Sequence, residues 1–172
     1  MLPGKTVTST FRLDEKAFKA IQDDAKKQNI SVNTLVNQLV LSYANYDRVM
    51  RRLQMMKIPA STFKAILDGA TDEAIVEAAR DAGKGVGKTF VVSMSGSFTL
   101  ENVLDGFRNS ANYINAFEYS EFPHADRITI TLTHTFGKKG TLFIEAWIKS
   151  MFEELHLQPK FLPAEDAVIF EI

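Results

Sequence analysis

The sequence predicts an α+β fold in two parts, a short strand–helix–helix module at residues 1–54 and a larger α+β domain at residues 59–172. Apolar residues alternate over residues 7–13 and then recur at helical spacing as far as Leu53, which indicates one strand followed by helices. Pro59 disfavours helix at the residue before it. We therefore place a hinge at residues 55–59 and a separate domain after it.

The composition is typical of a soluble globular protein, with 45% hydrophobic residues and 24% charged residues. No apolar run is long enough to span a membrane, and the first residues lack the features of a signal peptide, so we expect a cytoplasmic protein. The chain has no cysteine, which excludes disulfides, thiolate metal sites and a cysteine nucleophile.

The net charge of −1 hides an uneven distribution along the chain. Residues 1–57 contain ten basic and five acidic side chains, a net charge of +5, whereas the other 115 residues contain ten basic and sixteen acidic ones, a net charge of −6. A basic first part on an acidic body indicates a polyanion-binding end, although differences of this size also arise by chance between segments.

The predicted strand has two chemically different faces. One face carries Val7, Ser9, Phe11 and Leu13, and the other carries Thr8, Thr10 and Arg12. Asp14 is placed to cap the next helix, whose apolar stripe includes Phe18, Ile21 and Ala25. So few apolar residues cannot build a core alone, and we expect the module to need a second copy of itself.

The second helix of the module begins after a turn at Asn29 and Ile30. Asn29 can adopt the left-handed conformation that ends a helix, and Ser31 is a good N-cap for the helix that follows. The apolar face of that helix comprises Leu35, Val36, Leu39, Val40 and Tyr43.

The second domain alternates helical and strand patterns. Helices are predicted at residues 61–67, 72–82, 100–114 and 141–155, with Thr71 and Thr99 as caps. Strands are predicted at residues 89–94, 117–122 and 127–133, and one strand or a tight pair at residues 160–162 and 167–172. The order strand, helix, strand, strand, helix, strand is the βαββαβ arrangement of ferredoxin-like domains, an antiparallel sheet with helices on one face.

Residues 6–45 resemble the ribbon-helix-helix superfamily of DNA-binding proteins, the MetJ, Arc and CopG group. The resemblance rests on the alternating strand ending in Phe11-Arg12-Leu13, on the stripe of the first helix, and on the turn that leads to the serine-capped second helix. In that family, strands from two chains pair across the dimer axis and lie in the major groove. The resemblance implies a homodimer that binds double-stranded DNA.

By that resemblance, Thr8, Thr10 and Arg12 are the base-reading residues. Arginine can bind guanine O6 and N7, and threonine can hydrogen-bond a base or contact the thymine methyl. The free N–H groups of Ser31, Val32 and Asn33 would bind a phosphate and set the register on DNA. The alternative is that residues 6–45 are part of one larger fold with solvated threonines.

Other motifs do not indicate catalysis, a metal or a cofactor. Residues 83–89 lack the spacing and the strand-before-helix context of a phosphate-binding loop, and a flexible glycine-rich connector is the better interpretation. Three scattered histidines argue against metal sensing; His134 with Glu118 or Glu121 would be the first choice for a metal. The aromatic residues are more typical of a core than of an effector pocket in the second domain, which remains an alternative.

The leading hypothesis is a homodimeric transcriptional regulator whose second domain serves sensing or assembly. The layout is similar to that of the nickel-responsive regulators of the superfamily, but their metal ligands are not recognisable here. The alternative is an antitoxin or plasmid-partition adaptor whose second domain binds a partner protein. A third possibility, an enzymatic second domain, lacks any cluster of catalytic side chains.

Overall fold

A computed structural model describes residues 6–114 and 116–172 of the chain. They form two compact units, one ending at Tyr43 and the other comprising Ala44–Ile172. Residues 55–59 are neither helix nor strand, in agreement with the predicted break before Pro59, and the assignment of a hinge there remains a prediction. In the part of the chain that the structure describes, no helix is both long and apolar enough to cross a membrane.

The first unit contains two helices, α1 (Glu15–Lys27) and α2 (Val32–Ser42). Asp14 begins α1 as predicted, because its carboxylate accepts hydrogen bonds from the backbone N–H groups of Lys16 at 2.9 Å and Ala17 at 3.1 Å. Among residues 6–43, the only buried apolar side chains are Ala25, 2% exposed, and Leu35, 8% exposed. The two helices thus share a very small core.

The turn between α1 and α2 is a helix-ending motif centred on Asn29. Asn29 has φ 54°, the left-handed conformation predicted for it. Its N–H donates to the Lys26 carbonyl at 3.2 Å, and the Ile30 N–H donates to the Ala25 carbonyl at 3.0 Å. This pair of bonds is the Schellman motif, which satisfies the last carbonyls of α1 and reverses the chain.

The predicted strand of the first unit is absent: residues 6–14 are neither strand nor helix. A strand needs a neighbouring strand to accept and donate its backbone hydrogen bonds, and no other described residue of this unit is in one. The prediction of a ribbon-helix-helix module is therefore wrong for the single chain. The helix–turn–helix part of that prediction matches α1 and α2.

The second unit is helical first and has its strands near its end. A π-helical turn at Tyr43–Asp47 leads into α3 (Arg48–Arg52). The helices that follow are α4 (Ala60–Gly69), α5 (Asp72–Ala82), α6 (Lys88–Ser95), α7 (Leu100–Ile114) and α8 (Gly137–Glu154). The strands are β1 (Glu118–Pro123), β2 (Ile128–Thr133), β3 (Lys160–Leu162) and β4 (Ala167–Glu171).

The four strands form one antiparallel sheet in the order β1-β2-β4-β3. Ile130 of β2 lies opposite Phe170 of β4, and Leu132 lies opposite Val168. These four side chains are buried and face the helices. The core of the second unit lies between this face of the sheet and apolar residues of α6, α7 and α8, including Phe107, Ile148 and Phe152.

The ferredoxin-like prediction is wrong because its first strand is a helix. Residues 89–94 belong to α6, where Phe90 and Val91 are buried and Phe90 packs edge-to-face on Tyr46 at 5.6 Å between ring centroids. Tertiary packing here overrides the strand preference of β-branched and aromatic residues. The observed order from α7 onward is helix, strand, strand, helix, strand, strand. In the sheet, β2 and β4 are neighbours and pair directly with each other.

The glycine-rich segment is also different from the prediction, because it is not a flexible connector. Gly83–Gly87 form a π-helical turn that joins α5 to α6 and lies against α8. A Cβ atom on Gly83 would lie 1.9 Å from the Ser150 hydroxyl oxygen and 2.6 Å from the Trp147 carbonyl oxygen. Glycine is therefore needed at Gly83, because the π-helical turn lies so close to the backbone of α8 that a side chain would not fit.

We predict that Gly83→Ala lowers the free energy of unfolding by about 1–3 kcal/mol, because the Trp147 carbonyl belongs to the backbone and cannot rotate away. Gly85→Ala is the matched control in the same turn, since nothing lies within 4 Å of its added Cβ. We expect that control to be neutral or stabilising by up to about 1 kcal/mol. Chemical denaturation of both variants measures the difference, and equal stabilities would contradict the packing.

His134 is buried at the end of β2, and its ring is held by two residues. Its Nδ1 accepts a hydrogen bond from the Phe136 N–H at 3.2 Å, so Nε2 carries the proton and faces the Thr141 hydroxyl at 3.3 Å. Thr141 in turn donates to the Glu165 carbonyl at 2.6 Å. The network suits a neutral ring, and burial lowers the pKa of His134, while Asp166 raises it to a smaller extent.

Stability should therefore fall as the pH falls below about 6.5, the ordinary pKa of histidine. In that range the unfolded chain binds a proton at His134 that the native chain does not bind. His134→Gln should flatten the dependence between pH 7.5 and pH 5.5 in denaturation experiments (roughly one pH unit either side of the ordinary value). An unchanged slope in this variant would show that another group causes the loss.

Candidate nucleic-acid interface

The predicted base-reading residues lie in the segment that leads into α1. Thr8, Thr10 and Arg12 are all exposed. Arg12 makes no ion pair with any other residue in the described ranges, so its guanidinium remains available for an external anion or a base edge. The side chains of this segment are therefore accessible, and the segment ends at a fixed point, the Asp14 cap of α1.

Apolar residues of the same segment are as exposed as the polar ones. Val7 is 87% exposed, Phe11 71% and Leu13 51%. Further exposed apolar side chains of this unit are Phe18, Leu39, Val40, Leu41 and Tyr43. A unit that leaves this much apolar surface in water has a surface typical of a protein interface.

The predicted phosphate-binding residues lie at the start of α2. Ser31 caps the helix as predicted, because its hydroxyl oxygen accepts a hydrogen bond from the Thr34 N–H at 3.0 Å. The N–H groups of Ser31, Val32 and Asn33 donate to no acceptor among the residues that the structure describes. They point out of a helix N-terminus, where the helix dipole favours an anion.

Lysines on α1 add positive charge to the same unit. Lys16, Lys19 and Lys26 are exposed and are in no ion pair within the described ranges, whereas Lys27 pairs with Asp24 at 3.0 Å. Exposed, unpaired cations of this kind attract a polyanion such as the DNA backbone. Lys5, which the charge count included, lies outside the described residues.

The residues considered for a metal do not come together. Glu121 accepts hydrogen bonds from Arg108 at 2.5 Å and from the Tyr119 hydroxyl at 2.7 Å, which together lower the pKa of its carboxyl. His134 is occupied by its own network, and Glu118 is exposed. Within residues 6–114 and 116–172, no group of three or more histidine, aspartate or glutamate side chains could hold a metal ion.

A second candidate site lies where the aromatic residues left an effector pocket open as an alternative, although the sequence did not indicate which residues would line it. An apolar cavity of about 330 Å³ lies in the second unit, with walls that include Phe63, Phe136, Phe143 and Trp147. These residues come from α4, from the turn before α8 and from α8 itself. Their meeting depends on tertiary packing, and no local motif marks it.

Comparison with known proteins does not assign a function to either site. No protein-family model matches the chain, and a search of curated proteins found no significant match.

Proposed function

We propose that this protein is a sequence-specific DNA-binding transcriptional regulator that acts as a homodimer. The observation that carries the proposal is the segment before α1, where exposed apolar residues alternate with exposed threonines and with Arg12, which forms no ion pair within the described ranges. The resemblance of residues 6–45 to the ribbon-helix-helix superfamily supports the same function. A cytoplasmic location is part of this proposal.

Dimerisation would give residues 6–13 the neighbouring strand that is missing from the described part of the first unit. In the proposed dimer, residues 6–13 of two copies lie antiparallel and exchange backbone hydrogen bonds. Since alternate side chains of an extended segment point to opposite faces, Val7, Phe11 and Leu13 would turn toward the helices of the dimer. Thr8, Thr10 and Arg12 would then face outward together.

The outward face has the chemistry to read bases in the major groove. A two-stranded ribbon fits that groove, arginine can form two hydrogen bonds with guanine, and threonine can contact either a polar base edge or the thymine methyl. Because the two copies are related by a twofold axis, the operator would be a roughly palindromic pair of half-sites.

The start of α2 would hold the protein in register. The N–H groups of Ser31, Val32 and Asn33 are unpaired within the described chain and can bind one phosphate, a contact that carries no sequence information. The unpaired lysines of α1 would add attraction to the DNA backbone that weakens as the salt concentration rises.

Residues 44–172 would provide sensing or assembly. This unit has a buried core of its own, which argues against an antitoxin tail that folds only on its toxin. No observation favours an enzymatic role over this one.

An operator selected from a random DNA pool allows a direct test of base reading. Arg12→Ala combined with Thr10→Ala should weaken binding to the selected operator by about tenfold to a hundredfold for each of the two arginine contacts that the dimer loses, because one good bidentate contact contributes about 1–3 kcal/mol. Binding to unrelated DNA should change much less. Equal losses on both DNAs, or a selection that enriches no sequence, would contradict the proposal.

Two further variants separate base reading from phosphate binding. Val32→Pro removes one N–H at the first position of α2, where proline is tolerated; Ser31 already has ψ 152°, which proline favours in the residue before it. We expect weaker binding to all DNAs, with the sequence preference retained and the salt dependence little changed, because the lost donor carries no net charge. Lys27→Ala, the change of an exposed lysine already paired with Asp24, is the control and should have the smaller effect.

A further inference from the structure

The apolar cavity of the second unit has the size and the walls of a small-molecule site. Its volume of about 330 Å³ lies in the range of ligand pockets, roughly 300–1,000 Å³. Six aromatic side chains line it: Phe63, Tyr113, Phe117, Phe136, Phe143 and Trp147. Such walls favour an apolar ligand body, because a polar group placed against them would lose its hydrogen bonds to water.

The aromatic walls are already in place. Phe63 packs edge-to-face on Phe136 at 5.3 Å and on Phe143 at 5.4 Å between ring centroids. On another side, Trp147 packs edge-to-face on Phe107 of the buried core at 5.4 Å. Because neighbouring rings fix these walls, a ligand would enter a largely formed site.

The cavity has one cationic side chain among its described lining residues, that of Lys57. Lys57 is the only charged residue of either sign among these described residues, and it lies in the irregular segment before α4. Its ammonium group lies 3.0 Å from the Asp47 carboxylate, and its side chain is 67% exposed. An ammonium has three N–H donors, so the bond to Asp47 leaves others for a second acceptor.

We propose that this cavity binds a small amphipathic monocarboxylate. The apolar body of the ligand, an aromatic ring or a medium-length alkyl chain, lies among the aromatic walls, and its carboxylate pairs with Lys57 at the rim. The proposal is independent of DNA binding, and it concerns residues of the second unit alone.

Trp147 makes the site directly observable, since it is the single tryptophan of the chain and lines the cavity. Titration of the full chain with 4-phenylbutyrate and with decanoate should give a saturable change in its emission, with a Kd of roughly 0.1 mM for ligands of this size. The stronger binder of the two identifies the ligand body as aromatic or aliphatic. The absence of a saturable change with both acids would overturn the proposal.

The charge contact is tested by a neutral ligand and a pair of lysine variants. Lys57→Gln should weaken phenylbutyrate or decanoate about three- to fivefold, a modest factor because the ammonium is solvent-exposed, and should leave 4-phenylbutanamide unchanged. Lys64→Gln is the matched control, because Lys64 also pairs with an aspartate, Asp68 at 2.6 Å, but does not line the cavity. Equal losses for acid and amide, or for both variants, would contradict the role of Lys57.

A third variant tests whether the ligand lies in the cavity. Ala60 lines the cavity at the first position of α4, so Ala60→Leu places a larger apolar side chain at its edge. We expect this variant to remain folded and to lose most of its affinity for both acids. Unchanged affinity in Ala60→Leu would place the ligand elsewhere on the protein and overturn the proposal.

Discussion

The shortage of buried apolar surface in the first unit constrains how this protein can work. Two helices that bury only Ala25 and Leu35 gain too little from the hydrophobic effect to offset the entropy of ordering the chain. The same unit exposes Phe11, Leu39 and Val40. A second copy that covers these residues would explain both the small core and the exposed apolar surface. The polar side chains of residues 6–13 would then remain free to contact a polyanion.

The second unit differs from the first, because it buries a large apolar core made of its own residues. The Gly83–Gly87 turn and α5 lie against α8, and the buried face of the four-stranded sheet packs on α7 and α8. Its central pairs, such as Ile130 with Phe170, are buried completely. A unit with such a core is able to carry a cavity, because the surrounding packing holds the walls apart.

Local chemistry made parts of this structure predictable. The caps Asp14, Ser31 and Thr71 and the left-handed Asn29 depend on neighbours within a few residues, and the structure confirms all of them. Residues 89–94 were misassigned because their strand preference is weaker than the packing of Phe90 and Val91 as parts of a helix. A strand at residues 6–13 depends on a partner strand, which no other described residue of the first unit supplies, and the aromatic cavity depends on rings far apart in sequence.

We propose that the exposed apolar residues of the first unit form a homodimer interface. Sedimentation equilibrium on the full chain tests it most directly. We expect a mass of 38.6 kDa, twice the 19.3 kDa of one chain, and dissociation toward single chains in Phe11→Glu and Leu39→Glu. A mass of 19.3 kDa across the concentration range, or a dimer that neither substitution weakens, would contradict it.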